Sequence, residues 1–115
     1  AIQLLNNKVI GIGIASALDY NVLSEMYLYT KQFEKALKYL KIAEKLDTTE
    51  LLVQLNLAHT YMFLDKVSES KKIHSQFLNQ NVSATQSWKN KTINDLNKFQ
   101  KMNLPADNFK KILFI

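Results

Sequence analysis

The sequence predicts an all-α fold: antiparallel helix–turn–helix pairs stacked as a short α-solenoid, with a C-terminal capping helix. Three observations carry this. Apolar residues recur at spacings of three and four along most of the 115 residues. Only two glycines and one proline occur, which argues against a turn-rich β fold and for long helices with short joins. The chain also repeats itself: "LSEMYLYTKQFEKA" (Leu23–Ala36) lies over "LAHTYMFLDKVSES" (Leu57–Ser70) at one constant offset, Leu23 on Leu57 and Tyr27 on Tyr61.

Residues 1–16 read as the remnant of the second helix of a preceding pair, with Ile2 in register with Ala36. Within "VIGIGIASA" (Val9–Ala17), the Ala15-Ser16-Ala17 end only faintly resembles a signal-peptide terminus, because the apolar part is short. Gly11 and Gly13 are a fragment of a phosphate loop without the third glycine, which Ser16 replaces. The segment "ASALDYNVLSEMYLYT" (Ala15–Thr30) then forms an apolar helix.

The clearest helix follows, over Gln32–Asp47. Phe33, Ala36, Leu37, Leu40 and Ala43 share one face, while Lys31, Lys35, Lys38, Lys41 and Lys45 form a second stripe. That stripe suits either an acidic partner or plain solvation, and Glu34 tempers it through neighbours such as Lys38. The "DTTE" of Asp47–Glu50 has the spacing of a capping box, which starts the next helix. That helix carries Leu51, Leu55, Ala58, Tyr61 and Met62 with little charge, so it must be covered on more than one side. An amphipathic segment from Asp65 turns Val67, Ser70, Ile73, His74 and Phe77 inward. Beyond Ala84, Trp88, Thr92, Leu96 and Phe99 form one stripe with Ile93 beside it. Leu104-Pro105 ends that helix. Asp107 is expected to cap a last turn through Phe109, Ile112 and Leu113. A lone pair cannot bury its apolar helix, so the pairs must stack, and the sequence must repeat.

This pattern resembles the tetratricopeptide repeat family, whose period of about 34 residues is the same. In a first unit, residues 17–50, Tyr20, Leu23, Ser24, Tyr27, Phe33, Ala36, Leu40 and Ala43 match the family's positions. A second unit, residues 51–84, keeps Leu57, Ala58, Tyr61, Val67 and Ser70 but departs at Gln54, His74 and Phe77. Residues 85–115 are the capping helices, with Trp88 in register with Tyr20 at twice the period and Asp95 off the pattern. The tail is similar to the end of many bacterial repeat proteins. On that likeness the whole chain, residues 1–115, is one domain and the C-terminal part of a longer protein.

The resemblance implies a non-catalytic scaffold that binds a peptide or protein segment on its concave face. Its contacts would be Asn21, Val22, Glu25 and Tyr29 from the first unit and Leu55, Asn56, His59 and Phe63 from the second. The family's carboxylate-clamping version requires Lys and Asn where Asn21 and Glu25 stand. Only Asn56 fits it, and Glu25 would repel a terminal carboxylate. The same residues could instead pack against the capping helix. A second reading is a peptide-sensing or regulatory module of a larger protein.

The residues offer little chemistry. Cysteine is absent, which removes disulfides, thiolate metal sites and cysteine nucleophiles. His59 and His74 have no carboxylate at ligand spacing, so no metal and no cofactor is expected. His74 takes a packing position between helices, and His59 faces inward as a binding contact. Asp95 and Glu69 have no identifiable partner, and Ser68 and Ser70 lack a base at motif spacing. We therefore expect no enzyme. The net charge of +5 rests on 15 lysines without arginine, which weakens sequence-specific nucleic-acid binding. No apolar run approaches the ~20 residues of a membrane span. Soluble placement is expected, cytoplasmic or periplasmic, and self-association through the open N-terminal end of the stack is a further expectation.

Overall fold

The computed structural model describes residues 16–105 and 107–113. The expected remnant helix thus lies outside the described residues, apart from Ser16. Ser16 opens the first helix, α1 (Ala17–Tyr29), with a full capping box: its hydroxyl accepts from the Asp19 N–H at 3.2 Å, and the Asp19 carboxylate accepts from the Ser16 N–H at 3.0 Å. Helices α2 (Phe33–Leu46), α3 (Leu51–Phe63) and α4 (Val67–Phe77) follow. After a small hairpin, β1 (Asn81–Ser83) and β2 (Gln86–Ser87), come α5 (Trp88–Lys101) and α6 (Phe109–Leu113). Helix accounts for 72 % of the described residues, so the fold is all-α, with successive helices packed on one another.

The turns preserve the repeat in atomic detail. After α1, the Gln32 N–H donates to the Tyr27 carbonyl at 2.8 Å and the Lys31 N–H to Leu28 at 3.0 Å. After α3, Lys66 donates to Tyr61 at 2.8 Å and Asp65 to Met62 at 3.1 Å. These are Schellman turns, in which a left-handed residue lets two amides satisfy the last carbonyls of the helix. The left-handed residue is Lys31 in one turn and Asp65 in the other, both at φ 62° and one repeat period apart. The end of α5 repeats the motif with Asn103 at φ 59°, Leu104 donating to Phe99 at 3.0 Å. Asn103 falls one helical turn later than the period would put it, because the hairpin delays α5.

The helix after α2 does not start as expected. Asp47 closes α2 and accepts from the Thr49 amide at 2.9 Å and its hydroxyl at 2.6 Å, while Glu50 caps α3 by accepting from the Leu52 N–H at 3.4 Å. The join from Asp47 to Glu50 therefore separates the two cap functions that one capping box would have combined. Likewise, residues 81–87 pair as a hairpin (Asn81 with Ser87, Ser83 with Gln86) ahead of α5. Ser87 then caps α5 by accepting from the Asn90 N–H at 3.1 Å. Asn108, beside the expected cap Asp107, pins the final turn by donating to the Met62 carbonyl and the Asp65 carboxylate, each at 3.0 Å.

Periodicity dictates the core. Ala36, Leu40 and Ala43 are the buried residues of α2, and the two alanines let neighbouring helices approach closely. Every residue of α3 from Val53 to Thr60 is buried, which meets the expectation that so apolar a helix is covered on several sides. One cluster joins Ala17, Leu40, Ala43, Val53 and Leu57 across α1, α2 and α3. Another joins Met62, Leu96, Phe99, Leu104, Phe109 and Ile112, and so seats α5 and α6 on the end of α3. Trp88, Thr92, Leu96 and Phe99 are the buried stripe of α5, the four residues its spacing singles out. On the opposite surface all five lysines of the α2 stripe are exposed. Lys35, Lys38 and Lys41 lie over the rings of Tyr27, Tyr39 and Tyr61 at 5.6–5.8 Å.

Candidate functional site at the seam of α1, α3 and α5

The eight residues expected on the concave face come from α1 and α3. Helical spacing puts Asn21, Glu25 and Tyr29 on one side of α1, and Asn56, His59 and Phe63 on the corresponding side of α3 one repeat later. The structure brings α5 against this face, so the site is a three-helix seam rather than an open two-helix surface. Four of the eight are buried (Asn21, Leu55, Asn56 and His59), while Glu25, Tyr29 and Phe63 are half-buried and Val22 is exposed.

Burial is tolerated because the polar groups find one another. The Asn56 side-chain amide donates to the Asn21 carbonyl oxygen at 2.9 Å and also bonds Glu25. His59 Nε2 lies 2.9 Å from Asp95 Oδ2, and the Lys91 ammonium donates to Asp95 Oδ1 at 2.6 Å. Lys98 donates to the Tyr29 hydroxyl at 2.9 Å, and its ammonium sits 4.6 Å from the centre of that ring. Phe63 packs face to face on Phe33 at 4.6 Å and edge-on against Phe99 at 5.1 Å. Asp95, for which the sequence offers no partner, therefore has two. Lys91 lies four residues earlier on the same helix, whereas His59 is reached only because α5 crosses beside α3, which spacing within either helix does not reveal.

The electrostatics follow from these contacts. Burial raises the Asp95 carboxyl, but the hydrogen bonds and charges of His59 and Lys91 outweigh it and hold the group below its ordinary value. Glu25 goes the other way: burial dominates, and Asn56, Lys91 and Lys98 only partly oppose the rise. An ionised Asp95 can only accept, so Nε2 of His59 carries the hydrogen.

His74, on α4, lies beside this site, its ring 6.2 Å from that of His59. The Trp88 indole N–H, which can only donate, points to His74 Nδ1 at 3.0 Å. This fixes His74 as the neutral tautomer protonated on Nε2. Burial, followed by the neighbouring His59, pushes its pKa down to about 3. The expected packing role of His74 is thus met with a specific partner, and Trp88 is fully buried as the anchor of α5.

The sequence does carry a signal for these pairs. Asn21 and Asn56 are 35 residues apart, and His59 and Asp95 are 36 apart. Both separations are one repeat plus a residue or two, the distance between side chains of adjacent first helices in a stack. A search two residues beyond one period from His59 reaches Asp95.

Among the described residues no group of three or more His, Cys, Asp or Glu could hold a metal ion. No helix among them is long and apolar enough to cross a membrane. His59 and Ser70 are fully buried, so a substrate approaching from solvent does not meet them. No family model, curated protein or solved structure matches the chain.

Proposed function

We propose that this chain is a tetratricopeptide-like, non-catalytic module that binds an extended peptide or protein segment along the seam of α1 and α5. The observation that carries the reading is the duplicated hairpin: α1–α2 and α3–α4 end their first helices in the same turn, one repeat period apart. Such repeats build a surface rather than a reaction centre. The burial of His59, Asn21, Asn56 and Leu55 narrows the contact set. Val22, Glu25 and Tyr29 on α1 face the partner, with the α5 lysines Lys91 and Lys98 on the opposite rim. The buried four hold the helices at the spacing that shapes the groove. Mixed charge at the rim favours a segment carrying both signs over a terminal carboxylate.

The test is selection of a displayed peptide library on the protein, followed by titration of the selected peptides. Val22→Ala, Glu25→Lys and Tyr29→Ala should each weaken binding, while Lys45→Ala on the opposite surface should not. Equal affinity for all four variants would place binding elsewhere, and failure to select any peptide would remove the reading.

A further inference from the structure

Among the described residues, three buried polar atoms have no hydrogen-bond partner: His59 Nδ1, His74 Nε2 and Ser70 Oγ. Unpartnered buried polar atoms are rare and demand an explanation. All three residues are at least nine-tenths buried. The two imidazole rings lie 6.2 Å apart, inclined at 54°. Ser70 stands one helical turn before His74 on α4. Other buried helical hydroxyls bond back to the carbonyl four residues earlier, Ser24 to Tyr20, Thr60 to Asn56 and Thr92 to Trp88, but the Ser70 hydroxyl does not.

The chemistry of the three atoms is complementary. Trp88 occupies Nδ1 of His74, so the free Nε2 is a donor; Asp95 occupies Nε2 of His59, which leaves its Nδ1 unpartnered. A serine hydroxyl serves as either. A divalent metal does not fit, because His74 Nε2 keeps its hydrogen as long as the indole bonds Nδ1.

We propose that His59, Ser70 and His74 form a binding site for one internal water molecule, which accepts from His74 Nε2 and bonds His59 Nδ1 and Ser70 Oγ. The water completes a ring of hydrogen bonds that leaves α5 at Lys91 and Asp95, passes through His59 on α3 and His74 on α4, and returns to α5 at Trp88. The site locks the capping helix to the second hairpin by directional bonds, in addition to apolar packing.

Nuclear magnetic resonance of the histidine rings in the intact protein tests this. The His74 Hε2 proton should be visible, bonded to Nε2, and should show a cross-peak to a long-lived water. Ser70→Ala should keep the fold, since Ala36 fills the equivalent position one repeat earlier. It should speed exchange of that proton about tenfold, the equivalent of one hydrogen bond. No water cross-peak, a proton on Nδ1 instead, or an unchanged exchange rate in Ser70→Ala would each overturn the proposal. So would stoichiometric binding of added zinc that shifts both rings.

Discussion

Acidification should destabilise this protein through one residue, His74. Its pKa falls from the ordinary 6.5 to about 3 on folding, chiefly because burial disfavours the imidazolium. The unfolded chain therefore binds a proton between pH 6.5 and 3 that the native state refuses. Stability contributed by neutral His74 is fully present above pH 6.5 and is lost as pH falls below it, at about 1.4 kcal/mol per unit. Between pH 7 and pH 4.5 the loss is about 2.5 kcal/mol, or roughly 10–20 °C in melting temperature for a domain of this size. The assay is urea unfolding across that range for the wild type and for His74→Gln, whose side-chain oxygen can still accept from the Trp88 indole but does not titrate. Groups common to both proteins cancel in the difference. Glu25, raised by burial, gains stability on protonation and opposes the trend at the acid end, so a Glu25→Gln background isolates the effect. Asp95, held below 3.8, loses its contribution only at still lower pH. Parallel pH curves for wild type and His74→Gln would refute the reasoning.

Trp88→Ala should cost about 3–5 kcal/mol in chemical unfolding, because it opens a cavity under α5 and leaves His74 Nδ1 unpaired. Asp95→Ala and His59→Ala should show a coupling of about 1–3 kcal/mol in a double-mutant cycle, whereas additive effects would mean that the 2.9 Å pair contributes nothing. Asn56→Ala strands the Asn21 carboxamide and should cost about 1–3 kcal/mol in the same assay. Lys31→Gly relieves a left-handed backbone at an exposed turn and should raise stability by about 1 kcal/mol, read as a higher urea midpoint with unchanged slope.

Much of the fold is legible in the residues because helices and their faces are local properties. Phe33, Leu37, Leu40 and Ala43 recur on one stripe whatever lies above them, and the buried stripe of α5 is the one its spacing marks. Two local features nevertheless escape that reading. The Ser16–Asp19 capping box is less conspicuous than the weaker pattern at Asp47–Glu50, and the hairpin of residues 81–87 carries no strong turn signal. The hairpin matters most, because it delays the third turn by one turn of helix and sets where α5 crosses the seam. The site is legible only in part: spacing groups Asn21 with Glu25 and Asn56 with His59 on one side of each helix, but does not show what meets them.

That division has a physical cause. The sequence by itself determined an all-α chain, its repeat period and the inward side of each helix, since these depend on the pitch of the helix and on side-chain polarity. Only the tertiary structure decided that His59 pairs with Asp95, that Trp88 sets the tautomer of His74, and that Lys98 reaches Tyr29 across 69 residues of chain. Those contacts depend on the angle and offset at which α5 packs, which the burial of Leu96, Phe99 and Trp88 settles collectively. No single spacing within a helix encodes that angle.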